Sequence, residues 1–97
     1  MRVFIVESVL PEMTPEIMVA IPGHRKVINR LFNEGKIVAY AINDTKTKMW
    51  CHIKAMDEYE VMDVLQQFPL IGVMRPVING TVIYDGVEDL LPRFSLN

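Results

Sequence analysis

The sequence has little of what builds covalent, metal or membrane architecture. Cysteine occurs once, at Cys51, so no disulfide can form within the chain. A single thiol fits a reducing compartment. No run of about 18 apolar residues is present, which leaves out a membrane-spanning helix. The early segment MRVFIVESVL is cut short by Glu7, and no small-residue cleavage site follows it. The expectation is an unprocessed, soluble, cytoplasmic protein with no membrane partner. Charge of one sign is also scarce: ten basic against twelve acidic side chains give a net charge of −2. That balance argues against a nucleic-acid partner. Gly23, Gly35, Gly72, Gly80 and Gly86 fall at caps and turns, and none forms a phosphate-cradling loop. His24, Cys51 and His52 have no metal-ligand spacing, so neither metal nor organic cofactor is expected.

What is present is a core. Of the 97 residues, 51% are apolar and 23% charged. A chain this long makes one domain that buries roughly 10,000 Å² on folding. The pattern predicts a strand over Arg2–Ser8, short and rich in Val, Ile and Phe. Thr14-Pro15-Glu16 is a helix start, combining a cap, a first-turn proline and an acid at the positive dipole end. Ile17, Ile21, Ile28 and Leu31 give that helix one apolar stripe, on which His24 also falls. Pro22-Gly23 should bend the helix or split it, and Asn33-Glu34-Gly35 should end it. Strands follow over Lys36–Ile42 and Lys48–Ala55, joined by a polar link that suits a hairpin. Asp57 caps a second helix that buries Val61, Val64, Leu65 and Phe68 and stops at Pro69. A last strand is expected over Val77–Tyr84, with a bulge or turn at Asn79-Gly80. Residues 86–97 form a tail carrying Leu90, Leu91, Phe94 and Leu96, expected to dock on a neighbouring subunit.

The order β-α-β-β-α-β predicts an α+β, ferredoxin-like fold, a four-stranded antiparallel sheet with two helices on one face. In the third strand Met49, Cys51 and Ile53 alternate with Lys48, Trp50, His52 and Lys54. The second strand is apolar on both sides, with Val38, Tyr40 and Ile42 opposing Ile37, Ala39 and Ala41. Two helices cover one face only, so the other needs a cover, and a second copy of the sheet is the simplest. A homodimer is the expected assembly.

Three stretches carry a resemblance: IPGHRKVINRLFNEGKI, the hairpin end KMWCHIKA, and VLQQFPLIGVM before the last strand. They resemble the muconolactone isomerase-like proteins of the dimeric α+β barrel superfamily, from Val3 to about Tyr84. Phe68-Pro69-Leu70 with Met74 is the most distinctive piece. The resemblance implies that residues 1–97 are one barrel-forming domain, dimeric and often part of a larger ring. It also implies a proton shift within an unsaturated lactone, without metal or organic cofactor. Pro22-Gly23-His24 is similar, too, to the YCII-related proteins, whose helix-one His pairs with an Asp on the second strand. Here that strand reads Ile37-Val38-Ala39-Tyr40 and holds no acid.

His24 is the candidate base, since an imidazole can take and return a proton near neutrality. Its alternative is a structural role, bonded to a carbonyl freed by Pro22. Arg25, the second catalytic candidate, can hold a carboxylate or steady developing negative charge; its alternative is a place on the solvent side of the helix with Lys26 and Arg30. Alternation puts Tyr40, Trp50 and His52 on one face, as a wall for a flat ligand or as a dimer interface. With Phe68 and Met74 these make up the expected substrate-binding set. Cys51 is expected as a small core residue. Two functions follow from these residues. One is a cofactor-free isomerase acting by proton transfer on a small unsaturated lactone or aromatic-type acid. The other is a non-catalytic, small-molecule-binding or accessory scaffold.

Overall fold

A computed structural model of the chain describes residues 1–86; the reading of Leu90, Leu91, Phe94 and Leu96 as a docking tail lies outside the described residues. The elements are β1 (Arg2–Val9), α1 (Pro15–Asn33), β2 (Ile37–Ile42), β3 (Lys48–Ala55), α2 (Glu58–Leu65) and β4 (Arg75–Gly80), with a 3-10 turn at Ile71–Val73 before β4. The strands form one antiparallel sheet in the order β2-β3-β1-β4. This is the ferredoxin-like arrangement. No helix among the described residues is long and apolar enough to cross a membrane.

Both helices begin where the sequence places caps. Thr14 Oγ1 accepts from the Ile17 amide at 3.3 Å, and Pro15 takes the first turn, where its missing N–H costs nothing. Asp57 Oδ1 accepts from the Glu60 amide at 2.9 Å, while Glu60 Oε1 accepts from the Met56 amide at 2.9 Å. This reciprocal arrangement is close to a capping box. α1 ends at Asn33 with Glu34 as its cap, and Gly35 follows with a φ of 75°, a left-handed conformation that glycine adopts without strain.

One layer of core joins the helices to one sheet face. Phe4 and Val6 of β1 and Met49, Cys51 and Ile53 of β3 pack with Ile28, Leu31, Val61, Val64 and Phe68. Cys51 lies in that core as expected, fully buried, and burial pushes its thiol pKa up to about 12. Ser8 is the polar exception in β1, and its hydroxyl accepts from the Arg75 amide at 3.1 Å where β4 begins.

Three expectations need correction. Of the two outcomes expected at Pro22-Gly23, a bend or a split, the split does not occur: the first helix is one element of 19 residues with Pro22 inside it. The break would sacrifice the packing of His24, Ile28 and Leu31 that follows it, and burial outweighs one missing hydrogen bond. The last strand is Arg75–Gly80, not Val77–Tyr84. It starts opposite Val9 and ends at Gly80 opposite Phe4, where the Thr81 hydroxyl donates to Val3 O at 2.6 Å instead of continuing the ladder. Asn79 and Gly80 keep regular register. The sheet's irregularity lies on β2, where the pairing slips between Ile37 and Ala39.

Candidate functional site

That slip decides which residues can meet. Ile37 pairs with Ile53 and is buried on the helix side. The next pair is Ala39 with His52, so Val38 is the extra residue of a β-bulge. Beyond the bulge the alternation is inverted: Tyr40 pairs with Cys51 and Ile42 with Met49, both on the helix side, while Ala41 pairs with Trp50. The expected wall of Tyr40, Trp50 and His52 is therefore not formed. The sheet separates Tyr40 from the other two.

On the helix side, His24, Arg25, Tyr40 and Met74 line one cavity of about 100 Å³, together with Leu10, Pro11, Met13, Ile17, Ile21, Ile42 and Leu70. α1 supplies His24 from the inner stripe that also buries Ile28 and Leu31. His24 is 6% exposed, and its ring stands edge-on to Phe68, with centroids 5.4 Å apart and an interplanar angle of 85°. Its Nδ1 is buried without a hydrogen-bond partner. A buried polar nitrogen left unpaired is unfavourable and uncommon. The carbonyl freed by Pro22 does not satisfy it. Burial, and secondly the neighbouring Arg25 charge, hold the His24 pKa below its ordinary value, so the ring is neutral at pH 7.

Arg25 is exposed, and its guanidinium carbon sits 5.8 Å from the Tyr40 ring centroid. No carboxylate among the described residues pairs with it. Tyr40 is half-buried, and desolvation is the main cause that raises its hydroxyl pKa, so it keeps its proton and can donate. The cavity thus combines an apolar lining with three polar groups of different kinds: a neutral imidazole, a cation and a phenol.

The other sheet face holds Trp50 and His52, both half-buried, beside Val3, Ile5 and the exposed Val77. The chain folds back after β4, and the Tyr84 hydroxyl lies 2.7 Å from His52 Nδ1, with the rings edge to face at 5.2 Å. Burial lowers the His52 pKa as well. Among the described residues, no three His, Cys, Asp or Glu side chains converge on a point that could hold a metal ion.

Of the sequence candidates, five belong to the helix side: His24, Arg25, Tyr40 and Met74 around the cavity, and Phe68 behind the His24 ring. Trp50 and His52 do not. Sequence reasoning missed Leu10, Pro11 and Met13, which looked like a strand end and a linker, and it missed Tyr84 as a partner of His52. A linker with two large apolar residues in four is the signal that could have been used. A scan against models of known protein families finds no match, and no curated protein matches the chain.

Proposed function

We propose that the chain binds a small unsaturated or aromatic-type carboxylic acid in the cavity beneath α1, and moves a proton within it without a cofactor. The observation that carries this reading is the buried His24, its Nδ1 unpartnered, on the wall of an apolar cavity that Arg25 and Tyr40 also line. An imidazole held neutral can accept a proton from a carbon next to a carbonyl. The electron pair left behind moves onto the carbonyl oxygen, where the Tyr40 hydroxyl can donate to the developing charge. The imidazolium returns the same proton to the far carbon of the conjugated system, and the ligand leaves as an isomer. Arg25 would hold the carboxylate. The likeness to muconolactone isomerase-like proteins supports the same reaction class.

The assembly proposed with it is a homodimer in the cytoplasm. The face that carries Val3, Ile5, Trp50 and Val77 interleaves these apolar side chains with Glu7, Lys48, Lys54 and Arg75, and a second copy of the sheet would cover the apolar ones. A second reading, a non-catalytic binding or accessory scaffold, is favoured by cavity size. About 100 Å³ is small beside the roughly 300 Å³ at which ligand sites usually begin.

The test is an NMR titration of the His24 ring in D₂O, with and without a panel of lactones and aromatic acids. Proton transfer predicts a shifted ring with one ligand, and solvent deuterium appearing at that ligand's acidic carbon. A ring that shifts without deuterium uptake leaves a binder. A ring indifferent to every compound removes both the base and the pocket.

A further inference from the structure

The cavity at His24 shares part of its wall with a second space. A larger groove of about 640 Å³ is lined by Leu10, Met13, Met18, Ile21, Ile42, Asn43, Asp44 and Lys46. Leu10, Met13, Ile21 and Ile42 also line the inner cavity, so one side-chain layer separates or joins the two spaces. The groove lies where α1 is least committed to the core: of that helix, His24, Ile28 and Leu31 are buried, and no residue before His24 is. Large apolar side chains converge there without burying one another, Met13 being 42% exposed, Ile42 46% and Met18 57%. Methionine and unbranched contacts of this kind adapt to an apolar guest at little cost. The rim changes character at Asn43, Asp44 and Lys46, in the loop that joins β2 to β3.

We infer that the inner cavity and the outer groove form one bipartite site for an amphipathic monocarboxylic acid. In that site the unsaturated acid end lies at His24, Arg25 and Tyr40, and an apolar tail runs along Leu10, Met13, Met18 and Ile42. The inference rests on the cavity being the ligand site, and it names the ligand class. Arg25, which has no carboxylate partner among the described residues, fixes which end of the ligand points inward. The two volumes together fall in the roughly 300–1,000 Å³ range of small-molecule sites, which the inner cavity alone does not reach. A tail also answers why a cavity this small has a lining this apolar.

The experiment is a titration of the full chain with straight-chain 2-alkenoic acids of four to ten carbons, followed at the His24 ring and at the ¹³C-labelled methyls of Met13 and Met18. Affinity should rise about fourfold per methylene added while the tail is being buried, the effect of removing one CH₂ from water. Met18→Gln, at an exposed position that lines the groove and not the inner cavity, should flatten that dependence and leave binding of the four-carbon acid unchanged. Short acids that shift His24 with no gain from added length overturn the bipartite site and leave the inner cavity standing. Long acids that move the two methionine methyls but not His24 overturn it as well, by showing a groove unconnected to the acid end. If no acid of any length moves His24 or the methionines, the ligand reading itself fails. Methionine shifts that follow protein concentration without ligand would assign the groove to a second copy of the chain and end the proposal.

Discussion

The molecule has two histidines, one on each side of a single sheet, and they differ in what meets them. His24 is buried edge-on to Phe68, and its Nδ1 has no hydrogen-bond partner. His52 is half-buried, and its Nδ1 meets the Tyr84 hydroxyl at 2.7 Å. Desolvation lowers both pKa values, so the direction of the shift does not tell them apart. Hydrogen bonding does. A satisfied imidazole is a stable part of the fold, whereas an unsatisfied one is retained against a stability cost. The helix side therefore carries the unexplained polar group, and the open side carries the unexplained apolar surface.

The largest effect that would sharpen this contrast comes from Phe68, which is 1% exposed and backs the His24 ring. Phe68→Ala should cost about 3–5 kcal/mol in urea unfolding, through lost burial and the cavity left behind. A loss under about 1 kcal/mol would mean that the helix side collapses easily and that His24 is not held in place. The open side is probed next by Val77→Lys, which puts a charge at a position 60% exposed, directly opposite Glu7 in the β1–β4 ladder, where a cation is compatible with the folded monomer. If two sheets close on one another there, the dimer dissociation constant in sedimentation should rise about 30-fold, the equivalent of about 2 kcal/mol. A wild-type chain that stays monomeric at every concentration would end the two-sheet assembly.

Most of the fold is legible in the sequence, because caps, strand alternation and element order all point to the same arrangement. Thr14, Asp57 and Gly35 sit where their chemistry requires, and the β-α-β-β-α-β order leaves few topologies. The site was legible in its helix part only. His24 could be placed by helical spacing, because a period of 3.6 tolerates Pro22 without losing phase. Tyr40 could not, because a strand's period of two loses phase at one extra residue. Ile37-Val38-Ala39-Tyr40 is apolar at every position, so nothing in it marks Val38 as the bulge. A strand with one polar face would have shown the slip. Tyr84 was hidden for a related reason: assigned to a strand, it had no route to His52, and the strand in fact stops at Gly80.

Smaller effects test the histidines themselves. His24→Leu removes an unpaired buried nitrogen and should stabilise the chain by about 1–2 kcal/mol at pH 7.5. It should also change the pH dependence. The folded chain holds His24 below its ordinary value of 6.5, so between those two values the unfolded chain binds the proton and the folded chain does not. Stability is complete above pH 6.5, is lost as pH falls from there through the folded pKa, and changes no further below it. The variant should lose that part of the slope and keep the part due to His52, whose shift has the same sign. An unchanged slope, or a destabilised variant, would mean that His24 has a partner in solution and that the two histidines are alike.

The smallest expected effect is Tyr84→Phe, which deletes the hydroxyl facing His52 Nδ1 and leaves the ring to pack edge-on. One half-buried hydrogen bond between neutral groups contributes about 0.5–1.5 kcal/mol, so a loss of about 1 kcal/mol is expected. The informative readout is the pair of imidazole resonances. His52 should shift, because its nitrogen loses its partner, and His24 should not, because the sheet stands between them. If His24 moves too, the two faces are coupled through the strands, and proton transfer beneath α1 cannot be treated apart from what covers the open side. If neither moves, the Tyr84 contact is too weak to distinguish one histidine from the other, and the case for His24 as the exceptional residue rests on its burial alone.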